Sequence, residues 1–183
     1  MERNELMDPV GRARRAYELG RLRTALRVAL YVVPMTLLSL IGCPRPVVNA
    51  ILGLALLTAT VGLLWRGQTY GRAASAGLLA GAAPMLIPML VRNGGYCCVG
   101  GECWALCMEA CIGGGFIAGG IVGMRAMSQH TSRGAFFAAA LAIAALAGSL
   151  GCVMSGVAGV LGMTAGMLVS GTPLVIGARL RRT

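Results

Sequence analysis

The residues best suited to chemistry in this chain are cysteines, and five of its seven lie in one short segment. They are Cys97, Cys98, Cys103, Cys107 and Cys111. Closely spaced thiols can form disulfides, bind soft metal ions such as Cu(I), Zn(II) or Hg(II), or act as a redox pair. If a helix begins near Glu102, the last three lie at i, i+4 and i+8 along one face. Glu102 and Glu109 then occupy a different face, so thiols and carboxylates do not converge on this helix.

Three interpretations of these thiols stay open from the sequence. A disulfide joining Cys97 or Cys98 to Cys103 or Cys107 is expected if the segment faces an oxidising compartment. A soft-metal site is the second interpretation. A redox-active pair is the third, although the Cys-x-x-Cys spacing of dithiol oxidoreductases does not occur. Because the chain has 7 cysteines, at least one is not part of an internal disulfide.

The cysteines must be positioned by apolar segments, which fill most of the chain. Six stretches each come close to the ~20 residues that cross a bilayer core. They cover residues 28–43, 47–65, 74–91, 104–124, 135–152 and 156–178. The sequence therefore predicts an all-α integral membrane protein with six transmembrane helices arranged as three hairpins. Residues 1–27 form an N-terminal segment, 28–178 the membrane domain and 179–183 a basic tail.

The distribution of arginine predicts the orientation. All 16 basic residues are Arg, and only Arg45 and Arg92 fall in the loops that follow the first, third and fifth spans. The other arginines lie at the opposite ends of the spans, and such an excess of arginine is typical of cytoplasmic segments. Both termini are therefore expected in the cytoplasm of a bacterium, with the chain in its inner membrane. The net charge of +10 is explained by topology and lipid contact, so no direct nucleic-acid binding is expected.

Enzymatic chemistry is not indicated. His130, the only histidine, falls in a predicted cytoplasmic loop, far from the cysteines. No phosphate-binding glycine loop, dinucleotide-binding pattern or pair of catalytic carboxylates occurs. The sequence thus predicts no catalytic residues, no cofactor and no small-molecule substrate, and it does not decide whether a metal is held. Glu109 is the only acidic residue within a predicted span, where charges tend to be functional.

Two local patterns predict structure. Asp8-Pro9 is typical of a helix start, with Asp8 as the cap and Pro9 in the first turn. Glycines four residues apart in the third, fourth and sixth spans predict helix packing inside one chain rather than dimer motifs. A weak repeat also places cysteine near the turn of each hairpin: Cys43, the segment 97–111, and Cys152.

The arrangement resembles the six-span membrane anti-sigma factors of proteobacteria, in particular those of light-responsive carotenogenesis in myxobacteria. The matching features are the cysteines from Cys103 to Cys111, the run 138–151 closing at Cys152, and the tail 177–182. The resemblance implies a membrane-bound negative regulator that holds an extracytoplasmic-function sigma factor until a signal releases it. The alternative class is a small thiol-based transporter of soft metals or a redox or metal sensor.

On that resemblance, the sigma factor is expected to bind residues 1–27 together with the cytoplasmic loops. The candidate contact residues are Arg12, Arg14, Arg15, Tyr17, Leu19, Arg21 and Leu22. The arginines would steer association, and the apolar side chains would hold the complex.

Overall fold

The computed structural model describes residues 9–42, 46–93, 103–129, 132–153 and 156–180, and these residues are almost entirely helical. Six α-helices follow one another: α1 Pro9–Gly42, α2 Pro46–Arg66, α3 Gln68–Asn93, α4 Cys103–Met127, α5 Arg133–Cys152 and α6 Gly156–Leu180. Pro9 is the first described residue of α1 and Asp8 lies outside the described residues, so the helix start at Asp8-Pro9 stays a prediction. The all-α fold and the positions of the helices agree with the apolar pattern of the sequence.

Five helices are long and apolar enough to cross a membrane, as in a multi-pass membrane protein. Their candidate spans are Pro46–Arg66, Thr69–Val91, Cys107–Met127, Arg133–Cys152 and Gly156–Gly177. The apolar part of α1, Leu30–Ile41, is shorter than these. Because α1 is 34 residues long, this apolar part is only the last third of a longer helix. By length and composition, therefore, five of the six predicted spans are found.

Helices α3 to α6 pair closely through small residues. An alanine Cβ at Gly81 of α3 would lie 2.6 Å from Ala147 Cβ of α5, and one at Gly119 of α4 would lie 2.7 Å from Met167 Cα of α6. In each pair, the residue numbers of the contacting positions increase in the same direction along both helices. Helix α3 therefore runs parallel to α5, and α4 runs parallel to α6. Glycine permits these approaches in lipid, where packing rather than the hydrophobic effect joins helices. The prediction that the spaced glycines pack within the chain is confirmed.

Helices α1 and α2 form an antiparallel hairpin on one side of this group. Asn49 of α2 donates hydrogen bonds to the Ser39 carbonyl of α1, at 3.2 Å, and to the Ser39 hydroxyl. The Ser39 hydroxyl donates to the Leu150 carbonyl of α5, at 2.8 Å. All three residues are buried. These bonds join the hairpin to α5, although Asn49 Oδ1 has no hydrogen-bond partner among the described residues.

The two ends of the bundle differ in chemistry. At the end where α2 meets α3, called here the arginine end, Gly67 makes the connection with a φ of +144°, which favours glycine. Trp65, Arg66 and Arg72 lie exposed around it. Aromatic and basic side chains of this kind gather where a membrane meets water. The opposite end, where α5 finishes at Cys152, is called the cysteine end.

Candidate functional site: a sulfur cluster and an N-terminal arm

Two prolines in α3 create the polar feature around which the site is built. In a helix the carbonyl of Pro84 would accept a hydrogen bond from the N–H of residue 88, but residue 88 is also proline and has no N–H. A buried carbonyl left without its helical partner needs another donor, especially in lipid. The Cys152 thiol of α5 supplies it, with Sγ lying 3.6 Å from the Pro84 oxygen.

Two further sulfur atoms surround Cys152. Its Sγ lies 3.8 Å from Met163 Sδ of α6, and its thiol is hydrogen-bonded to that of Cys111 in α4. All three side chains are fully buried. We call Cys111, Cys152 and Met163 the sulfur cluster. It joins three helices, and the Pro84 carbonyl adds a fourth.

Glycines allow four helices to meet at this point. An alanine Cβ at Gly114 of α4 would lie 2.7 Å from Pro84 Cα, and one at Gly151 of α5 would lie 2.8 Å from Met85 Cα. Both distances are shorter than an ordinary carbon–carbon contact of about 3.5–4.0 Å. The positions of the sulfur atoms therefore depend on backbone approaches that only glycine permits.

Of the five cysteines that the sequence groups together, the structure describes the side chains of Cys107 and Cys111. Cys97 and Cys98 lie outside the described residues, and Cys103 begins α4, where its side chain is not described. Cys111 is buried, Cys107 is half-buried one turn before it, and both are thiols rather than disulfides. The loop-to-helix disulfide therefore stays a prediction.

The carboxylate of α4 stays apart from the thiols, as the helical spacing predicts. Glu109 is exposed on the outer side of the helix, whereas Cys111 is buried. Among the residues that the structure describes, no three His, Cys, Asp or Glu side chains are grouped to hold a metal ion. The sulfur cluster contains two cysteines, and its third sulfur atom comes from a methionine.

Cys152 and Met163 are the site residues that sequence reasoning missed. Cys152 is 41 positions beyond Cys111, and Met163 lies on the next helix, so no local spacing connects them. The useful signal in the sequence was the Pro84–Pro88 pair, which predicts an unsatisfied carbonyl and hence a donor on a neighbouring helix. Identifying that donor requires the pairing of α3 with α5.

The predicted partner-binding residues lie on the first part of α1, residues 9–27, which we call the arm. In the antiparallel hairpin, Asn49 of α2 lies beside Ser39 of α1, and Gly53 packs on Thr36. Extending this pairing along both helices places Arg66, the last residue of α2, beside residues 22 and 23 of α1. Residues 9–21 continue α1 by about 20 Å beyond that level, at about 1.5 Å per residue. Much of the arm thus extends past the arginine end of the bundle.

The arm presents large apolar side chains that the protein does not cover. Tyr17 is 60% exposed, Leu19 62%, Leu22 47% and Leu26 68%. The three leucines follow at intervals of three and four residues and therefore lie along one helix face. Arg12 and Arg15 are exposed beside them, whereas Arg14 and Arg21 are helical residues whose side chains are not described.

This leucine face is a second feature that sequence reasoning missed, because interleaved arginines obscure its spacing. The leucine face continues through Leu30, which is also exposed, into the apolar part of α1. The arm therefore combines an apolar stripe with basic residues on a helix that emerges from the bundle.

Comparison of the chain with protein-family models, with curated proteins and with solved structures finds no significant match.

Proposed function

We propose that this chain is a membrane-bound negative regulator, an anti-sigma factor, that holds an extracytoplasmic-function sigma factor at the cytoplasmic membrane of a bacterium. The observation that carries the proposal is the leucine face of the arm. Leucines spaced along one face of a helix are the usual anchors by which such a helix docks into an apolar groove of a partner protein. Exposed apolar stripes on a helix outside lipid mark sites of interaction.

The proposed orientation places the arm in the cytoplasm. Helix α1 packs against α2 over the same levels at which α2 crosses the apolar layer, and Val32 and Ser39 of α1 are buried there. This packing supports α1 as the sixth span. The surplus of arginine at the arginine end then follows the positive-inside rule, which sets both termini in the cytoplasm.

The energetics of the leucine face indicate that the arm needs help from other surfaces. Burying Leu19 and Leu22 would contribute roughly 3–6 kcal/mol, at about 1.5–3 kcal/mol each. Leu26 is not counted, because it lies level with the last turn of the apolar span of α2. Association itself costs about 4–15 kcal/mol. The arm alone therefore yields weak binding at best. A stable complex needs the cytoplasmic loops near Arg66 and Arg125, with the arginines steering the encounter.

The arm is connected to the cysteine end of the bundle through α5. Leu150 accepts the Ser39 hydrogen bond from α1, and Cys152, two residues later, lies in the sulfur cluster. A displacement of the end of α5 would therefore act on α1, of which the arm is the direct continuation. This contact is the route that we propose for a signal from the cysteine end to the bound partner.

The binding test compares positions on one helix face. Double replacement of Leu19 and Leu22 by alanine should greatly reduce co-purification of the sigma factor and raise transcription from its promoter. Leu30→Ala is the matched control, because Leu30 lies on the same stripe but within the apolar part of α1. Deletion of residues 2–18 removes Arg12, Arg15 and Tyr17 but keeps the leucine face, so in protein that still inserts it should weaken co-purification less than the double replacement.

If both variants retain the sigma factor, the interface lies on the cytoplasmic loops and not on the arm. Failure to find a sigma factor with the wild-type chain would refute the proposal. Orientation is tested separately by reporter fusions: those after Thr69 and Ser128 should be cytoplasmic, and those after Arg45 and Gly101 periplasmic. Accessibility of His130 from outside would contradict this topology.

A further inference from the structure

We propose that the sulfur cluster is a binding site for a single soft monovalent metal ion of the Cu(I) class. The thiols of Cys111 and Cys152 and the thioether of Met163 would be its ligands. This proposal is independent of what the arm binds. It rests on three sulfur atoms from three helices that meet at one buried point.

The spacing of the sulfur atoms suits such an ion. Metal–thiolate bonds are about 2.3 Å long, so an ion at the centre of a trigonal plane holds its ligand atoms about 4.0 Å apart. Cys152 Sγ and Met163 Sδ lie 3.8 Å apart. The hydrogen bond between Cys111 and Cys152 brings the third sulfur atom within reach of the same centre. The separation of Cys152 Sγ and Met163 Sδ therefore already matches that of two ligands of one such ion.

The donor set selects the kind of ion. Thioether and thiolate sulfur are soft ligands that favour Cu(I). A structural Zn(II) site is almost always tetrahedral with four protein ligands. No third His, Cys, Asp or Glu is grouped with the two cysteines among the described residues. Three sulfur ligands match the low coordination number of Cu(I) and its analogue Ag(I), and leave Zn(II) incompletely coordinated.

The charge balance is compatible with an apolar surrounding. A monovalent ion that displaces one proton from the two thiols leaves one thiolate and one thiol around one positive charge, which is neutral overall. Neutrality avoids the high cost of a charge in the membrane interior. The displaced proton is released to solvent. No change of oxidation state is involved.

A purely structural role for Cys152 makes a different prediction. If its thiol serves only to donate a hydrogen bond to the Pro84 carbonyl, serine should replace it with little effect, because a hydroxyl also donates. A serine cannot replace a thiolate as a ligand for a soft ion. Cys152→Ser therefore separates helix packing from metal binding.

The experiment uses purified full-length protein in detergent under a reducing atmosphere, with Cys43, Cys97, Cys98, Cys103 and Cys107 replaced by serine to remove the other thiols. Cu(I) is supplied through bicinchoninate, whose absorbance reports competition for the ion. One Cu(I) per chain is expected, with affinity falling at least 100-fold in Cys111→Ser and Cys152→Ser. Met163→Leu, which preserves volume, should weaken binding about tenfold. The matched control is Met167→Leu, one turn along α6 and also buried, which should leave the affinity unchanged.

A spectroscopic measurement avoids dependence on the folding of variants. X-ray absorption of the Cu(I)-loaded protein with Cys111 and Cys152 as its only cysteines should show a first shell of three sulfur atoms. Absence of stoichiometric Cu(I), a shell of oxygen or nitrogen, or an affinity unchanged by both serine substitutions in the cluster would overturn the proposal. Equal loss of affinity in Met167→Leu and Met163→Leu would also overturn the assignment of the third ligand.

Discussion

Two adjacent glycines of α4 offer a sharp test of how the bundle is held together. An alanine Cβ at Gly119 would meet the backbone of α6, lying 2.7 Å from Met167 Cα, whereas one at Gly120 would meet nothing within 4 Å. We expect Gly119→Ala to destabilise the protein and Gly120→Ala to leave it as stable as the wild type or more so. The two changes add the same methyl group to the same helix at neighbouring positions.

The magnitude follows from the contact distances. Ordinary carbon–carbon contacts lie at about 3.5–4.0 Å, so Gly119→Ala must separate α4 from α6 by about 0.8 Å or more. Overpacking of this kind typically costs about 1–3 kcal/mol. The helix-propensity gain of alanine over glycine, about 1 kcal/mol, applies to both variants and cancels in their difference. The ratio of folded to unfolded protein should therefore differ by roughly 5- to 150-fold between the variants.

The assay is reversible unfolding in mixed micelles with increasing sodium dodecyl sulfate, followed by far-ultraviolet circular dichroism. The difference in the free energy of unfolding between the two variants should fall in the range of about 1–3 kcal/mol. Equal free energies for the two variants, or a Gly119→Ala protein more stable than Gly120→Ala, would refute the close parallel packing of α4 on α6.

Two further predictions concern the hydrogen bonds of the cysteine end. Ser39→Ala should lower the free energy of unfolding by about 0.5–1.5 kcal/mol, because it removes the donor to the Leu150 carbonyl; an unchanged value in the same micelle assay would contradict this contact. Pro88→Ala should return an N–H to the Pro84 carbonyl, so that Cys152→Ala costs less in the Pro88→Ala background than in the wild type, by about 0.5–1 kcal/mol. Strict additivity of these two substitutions in a double-mutant cycle would show that Cys152 does not satisfy that carbonyl.

The helices could be predicted from the sequence because each property involved is local. Apolar runs and the glycine spacing are both read within one segment, and the helices lie where these patterns place them. The length of α1 was less evident. Its apolar part is short, and the arm continues the same helix instead of forming a separate segment.

The sulfur cluster could not be predicted, because it depends on which helices are neighbours. Cys111, Cys152 and Met163 come from three helices, and their meeting requires the parallel pairing of α3 with α5 and of α4 with α6. The sequence directed attention instead to thiols that are close along the chain. The predicted partner-binding residues Leu19 and Leu22 are exposed on α1, but their alignment with Leu26 emerged only from their exposure, and partner binding itself stays a prediction.

The most direct test of the account is site-specific photocrosslinking in living cells from the leucine face of the arm. A benzoylphenylalanine introduced at Leu22 should crosslink the chain to a sigma factor, identified by mass spectrometry of the purified adduct. The same residue at Leu161, which is exposed on α6 within an apolar span, should give no protein adduct. A sigma-factor adduct from Leu22 alone is the result that we predict. Absence of a sigma-factor adduct from Leu22, in cells where the chain is inserted and abundant, would contradict the proposed function.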